Sequence, residues 1–164
     1  MKKVFLLSIV ILFSLTACFK DNPTRETLKA AGSWKVVSVE IKGYDNAGNE
    51  TSSNTIANPG FLMLSHVDDF LYEGTYSYSL NADLLSNSAI YSHLKAFNQW
   101  GVTTDAKVFN LAYKDPSSGA SAFKYGYTIN TLTNRKFELQ YVQLQNNNLD
   151  IKLVEVWKME RANE

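Results

Sequence analysis

Between Phe70 and Leu80 the chain keeps a strict period of two, with Phe70, Tyr72, Gly74, Tyr76, Tyr78 and Leu80 on one side and Leu71, Glu73, Thr75, Ser77 and Ser79 on the other. Successive side chains of a β-strand point to opposite faces, so this pattern predicts a strand with one face in a core and the other in water. The rhythm recurs at Lys107, Phe109, Leu111, Tyr113; at Phe123, Tyr125, Tyr127, Ile129; and at Phe137, Leu139, Tyr141. Leu149, Ile151 and Leu153 then lead to Val154, Val156, Trp157 and Met159. The runs are separated by turn chemistry: Asp115-Pro116-Ser117-Ser118-Gly119, Leu132-Thr133-Asn134 and Asn146-Asn147-Asn148. Short turns between strands imply antiparallel neighbours, and no βαβ alternation argues for a parallel sheet.

Upstream, Gly32-Ser33-Trp34-Lys35-Val36-Val37-Ser38-Val39-Glu40-Ile41-Lys42 reads as the founding strand. Both of its parities carry apolar groups, which predicts partial cover on both faces. Thr24 to Ala31 is expected to form a turn or two of helix stopped at Gly32. Residues 43–60 are rich in Gly, Asn, Ser and Thr, with Asn46-Ala47-Gly48-Asn49 as the turn signal. They read as a long polar connection or a weakly paired hairpin. Phe61 to Ser65 is a short strand. After Asn81, Leu84, Ile90, Tyr91, Leu94 and Phe97 fall mostly three and four apart, predicting one amphipathic helix over 82–98, packed on the outside of the sheet rather than across a barrel mouth. The fold class is therefore mainly β: an antiparallel up-and-down barrel or a sandwich with one inserted helix.

The first residues carry a separate message. Lys2 and Lys3 precede an apolar run from Val4 to Leu15, and Thr16-Ala17 supplies small residues before Cys18. That is the pattern of a signal peptide, and it is short of the roughly 18 to 20 apolar residues that cross a bilayer. Leu15-Thr16-Ala17-Cys18 resembles the lipobox of bacterial lipoproteins. The resemblance implies removal of residues 1–17, diacylglycerol on Cys18 and a tether over 18–30 before a domain over 31–164. Cys18 is the sole cysteine and has no disulfide partner within the chain, while two or more acyl chains hold a protein firmly to a membrane. The expected address is the cell envelope, lipid-anchored in the outer membrane, on either its periplasmic face or the cell surface.

Gly32-x-Trp34 on the first strand, followed by an antiparallel meander, resembles the lipocalin signature. So does Tyr127 to Thr133 followed by Phe137-Glu138-Leu139, which is similar to a strand, turn and strand of small bacterial lipocalin-like lipoproteins. The resemblance implies a lipocalin-like β-barrel in which Trp34 closes the base and a basic side chain beyond Trp157, Lys158 or Arg161, stacks on its indole. It also implies a small hydrophobic ligand. The mid-meander helix departs from lipocalins, which place theirs after the last strand.

Losing Lys2 and Lys3 with the leader leaves 14 basic against 16 acidic groups, so no basic face is available for nucleic acid. Catalytic signatures are missing: there is no Gly-x-Ser-x-Gly elbow, phosphate-cradling glycine loop or His-Glu-x-x-His run. His66 beside Asp68 and Asp69 is the sole start of a metal or hydrolytic site, too few ligands to hold an ion. Neither an enzyme nor a cofactor is expected. Tyr72, Tyr76, Tyr78, Phe109, Phe123, Tyr125 and Tyr127 form an aromatic stripe that either lines a cavity for an apolar ligand or fills the core, and an eight-stranded barrel is just wide enough for either. The competing reading is a non-enzymatic subunit docking on an envelope assembly through the 43–60 loop or the helix.

Overall fold

The structure, a computed structural model, describes residues 29–66, 74–103, 105–114, 121–145 and 150–162, with the backbone alone at 114 and 121–124. The leader, Cys18 and the tether expected ahead of Lys29 lie outside these residues, as do Asp68 and Asp69. Eight strands form one closed barrel: β1 (Gly32–Tyr44), β2 (Glu50–His66), β3 (Gly74–Leu80), β4 (Gln99–Val102), β5 (Val108–Lys114), β6 (Ser121–Leu132), β7 (Lys136–Leu144) and β8 (Ile151–Arg161). Each pairs antiparallel with the next, and β1 closes on β8. A short helix, α1 (Ala89–Ala96), is inserted between β3 and β4. The architecture is thus mainly β, an up-and-down barrel as the alternating pattern predicts.

The two apolar parities of β1 belong to one face. Trp34 and Val36 are buried, and so are Val39 and Ile41. Against β8 the register runs Val36↔Met159 and then Ser38↔Lys158, leaving Val37 as an extra residue. That bulge turns the chain over once, so Val39 and Ile41 rejoin Trp34 and Val36 inside the barrel, and the expected cover on both faces reduces to a half-buried Val37.

Of the two readings of 43–60, a long polar connection or a weakly paired hairpin, the structure shows the hairpin. Asp45 makes the turn, its carboxylate accepting from Ala47 N at 2.9 Å, Asn49 N at 2.8 Å and Asn49 Nδ2 at 3.1 Å. From Glu50 the chain pairs with β1, for example Ser53↔Lys42 and Thr55↔Glu40. These residues are exposed on both sides of the hairpin, so their sequence lacks alternation although the backbone is a ladder.

Residues 99–102, expected to lie beyond a helix ending near 98, form β4, with all four buried. The helix itself covers 89–96 rather than 82–98. Asn81 caps a turn, its side chain accepting from Asp83 N and Leu84 N, while the helix proper starts at Ser88, whose hydroxyl accepts from Tyr91 N at 3.0 Å. One end of the barrel, the base, holds the start of β1 and the end of β8; the other, the mouth, holds the 45–49 turn and α1. The lower interior is solid: Trp34 meets Phe137 at 5.4 Å, Phe137 meets Phe109 at 5.8 Å, and Phe109 stacks on Trp100 at 6.0 Å.

Candidate functional site at the barrel mouth

At the base, Trp34 donates its indole N–H to Ala30 O at 2.7 Å, and the Arg161 guanidinium lies over the ring at 4.1 Å. Gly32 has φ +125°, and a Cβ there would strike the Arg161 guanidinium, so the glycine serves both the backbone and the stack. Lys158 points the other way, to the outer wall, and pairs with Glu40 at 2.6 Å. Of the two basic side chains considered from the sequence, Arg161 is the one against the indole. This end is closed by packing and hydrogen bonds.

The mouth is different. Strand β8 sends Glu155 inward on the same face as Trp157 and Met159, and Glu155 is 0% exposed. Its carboxylate accepts from Trp157 Nε1 at 2.6 Å, Ala89 N at 2.8 Å, Ile90 N at 3.3 Å and the Ser88 hydroxyl. Three of the four donors belong to α1 and its cap, where the helix dipole favours negative charge. At the other end of the helix, the Tyr76 hydroxyl of β3 meets Leu94 O at 3.0 Å and Phe97 O at 2.6 Å. The helix therefore spans the mouth between β8 and β3, strands three apart around the barrel. This overturns the expectation that it packs on the outside of the sheet: its buried Ile90, Tyr91 and Leu94 face the lumen side of the wall.

Between these two clasps His93 sits among tyrosines. Its ring stacks on Tyr125 with centroids 3.8 Å apart and an 11° tilt, meets the edge of Tyr141 at 5.3 Å, and shares a 2.9 Å hydrogen bond through Nδ1 with the Tyr127 hydroxyl. Tyr141 is the register partner of Glu155 on the neighbouring strand. Burial holds the His93 ring below its ordinary 6.5 and pushes the phenols of Tyr76, Tyr127 and Tyr141 up, so all four are neutral at pH 7.

Of the aromatic stripe, Tyr76, Tyr125 and Tyr127 are brought together around α1. Phe109 belongs to the solid lower core at 1% exposure, and Tyr78 lies at the rim, edge-on to Tyr91. Tyr72 and the side chain of Phe123 lie outside the described residues. Sequence reasoning did not bring Ser88, His93, Tyr141 and Glu155 together. The available signal was Leu153-x-Glu155-x-Trp157-x-Met159, an acid on the apolar parity of a strand.

Among the described residues no three of His, Cys, Asp and Glu converge on a point that would hold a metal, and no helix is long and apolar enough to cross a membrane. A groove of about 200 Å³ beside the Val37 bulge runs over Ser38, Thr131, Lys136, Glu138 and Lys158, where cationic and anionic side chains alternate. No protein-family model, curated protein or solved structure matches this chain. The eight-stranded antiparallel closed barrel is consistent with a lipocalin-like fold and compatible with ligand binding.

Proposed function

We propose that this protein is a lipid-anchored, lipocalin-like lipoprotein of the cell envelope that binds a small apolar ligand behind a helical stopper. Supporting the anchor is the apolar leader ending at Cys18, and supporting the binding role is the closed barrel. The observation that carries the reading is the way α1 is held. The helix packs its buried Ile90, Tyr91 and Leu94 into the mouth and is also tied at its two ends by hydrogen bonds, accepted by Glu155 and donated by Tyr76. Polar clasps of this kind can be replaced by hydrogen bonds from a guest, which suits an element that gives way when the guest enters. The reading is non-enzymatic and needs no cofactor.

Native mass spectrometry of the full protein extracted in mild detergent tests it. A co-purifying small molecule is expected, together with an intact mass that shows diacylglycerol on Cys18. Empty spectra from every preparation would overturn the ligand, and an unmodified thiol would overturn the anchor.

The docking-subunit reading draws on one feature. Val142, Leu144 and Ile151 on the outer wall of the β7–β8 hairpin are 38%, 47% and 40% exposed. A stoichiometric protein captured from membranes, lost on replacing all three by serine, would favour it.

A further inference from the structure

We infer that α1 is a built-in surrogate for the ligand, and that the ligand is an apolar molecule with an amine head. The inference rests on the proposal that the barrel binds an apolar ligand, and it names the chemistry of that ligand.

The lower interior is occupied by Trp34, Trp100, Phe109, Phe137 and Trp157, each no more than 1% exposed, so a guest entering the described mouth would take the place of α1. The wall beside α1 is also the thinnest. Among the described residues β3 and β4 share two pairs, Gly74↔Trp100 and Thr75↔Gln99, after which β3 continues for five residues to Leu80. The last turn of α1 stands in that gap, tied to Tyr76. Withdrawing the helix therefore opens the barrel without breaking the rest of the ladder.

What the helix would leave behind is specific. Glu155 would keep Trp157 as its donor and lose Ser88, Ala89 and Ile90. A desolvated carboxylate with one donor is costly, and among the described residues no ion pair reaches it. The guest must restore donors there. An ammonium brings three N–H groups and the opposite charge; a carboxylate brings neither. Beside Glu155, the withdrawal of His93 would also empty a pocket walled by Tyr125, Tyr127 and Tyr141, three aromatic faces next to a carboxylate. Cations are held by that combination through ring quadrupoles and charge together. The imidazole of His93, stacked at 3.8 Å on Tyr125, occupies the place of the guest's head in the closed protein.

The test uses three probes with one apolar body: 1-naphthylmethylamine, 1-naphthylmethanol and 1-naphthylacetate, titrated at pH 7 into the detergent-solubilised protein and followed by naphthyl fluorescence. The amine is expected to bind roughly tenfold or more tighter than the alcohol, the size of one charge-assisted hydrogen bond, with the acetate weakest. Glu155→Gln should erase the amine's advantage while alcohol binding persists, and Tyr76→Phe, which loosens α1 without touching Glu155, should tighten the amine several-fold. The wild-type comparison is decisive even if Glu155→Gln fails to fold. Acetate binding as tightly as amine, or an amine preference that survives Glu155→Gln, overturns the amine assignment and leaves an apolar-ligand barrel standing. No binding of any probe by wild type and Tyr76→Phe alike sinks the ligand reading and this inference with it.

Discussion

Arg161 lies over the face of Trp34, its guanidinium carbon 4.1 Å from the ring centroid, while its nitrogens donate to Lys29 O at 2.7 Å, Asn134 O at 3.3 Å and Ala31 O. One side chain thus ties the approach to β1, the end of β8 and the β6–β7 turn to the same indole. Replacing Arg161 by Ala removes a cation–π contact and several charged hydrogen bonds at once, and is expected to cost about 3 kcal/mol in urea unfolding followed by tryptophan fluorescence. Arg161→Lys keeps the charge but has neither the plane nor the fork, so it should recover less than half of that loss.

Glu155 gives a second stability prediction with an internal control. Its Oε1 takes Ser88 and Trp157, and its Oε2 takes Ala89 N and Ile90 N. Glu155→Ala leaves four donors without an acceptor and should cost about 3 kcal/mol or more. Glu155→Gln keeps the shape and one oxygen, but turns an amide donor toward two other donors, so about 1 to 2 kcal/mol is expected. A negligible loss for Gln would show that the site is held by shape rather than by acceptance.

The barrel was legible in the sequence because half-buried strands announce themselves by period two, and β3, β5, β6 and β7 do so. Where burial does not alternate, the signal fails. The polar half of β2 is exposed on both sides, β4 is buried at all four positions, and the Val37 bulge shifts the period within β1. Trp34, with Lys158 or Arg161 as its basic partner, stands out through the resemblance to lipocalins and not through periodicity. The mouth was not legible. Its decisive contact joins Ser88 to Glu155 across 67 positions, and neither residue carries a local pattern that announces a partner so far away.

The bulge makes a prediction about the whole fold. Inserting one alanine after Ser38 would shift the register by one, so Val39 and Ile41 would face water while Glu40 turned inward. That variant is expected not to fold. Deleting Val37, by contrast, removes the extra residue and leaves Val36↔Met159 and Ser38↔Lys158 as consecutive pairs, which keeps the same side chains inward and should retain a cooperative transition. Far-UV circular dichroism with thermal melting separates the two outcomes.

Gly74 is expected to resist substitution for a steric reason. A Cβ there would strike Ser65 O and the Trp100 indole, whose N–H already meets Thr75 O at 3.0 Å and Ser65 O at 3.2 Å. Gly74→Ala should push Trp100 out of this notch and cost about 1 to 3 kcal/mol, read as a lower urea midpoint. Because the β3–β4 seam is short among the described residues, hydrogen exchange at Gln99 and Trp100 should accelerate more than exchange at Leu139 or Trp157.

His93 sets the response to acid. Its folded ring resists protonation because it is buried, while the unfolded chain titrates at the ordinary 6.5. Above that value both states are neutral at this residue, and stability does not depend on pH through it. As pH falls below 6.5 the unfolded chain binds a proton that the folded protein excludes, so unfolding becomes progressively easier until the depressed folded value is reached. The acid loss is therefore expected between pH 7 and pH 5, above the range in which Asp45 and Asp105, both held below the usual carboxylate value by their hydrogen bonds, begin to titrate. Urea midpoints at pH 8 and 7 should agree, and those at pH 6 and 5 should fall. His93→Phe keeps a ring against Tyr125 and Tyr141 but cannot titrate. It should lower the midpoint at pH 8 by the lost Tyr127 hydrogen bond, about 1 kcal/mol, and flatten the profile from 7 to 5. A profile equally steep in the variant would place the acid-sensitive group elsewhere in the barrel.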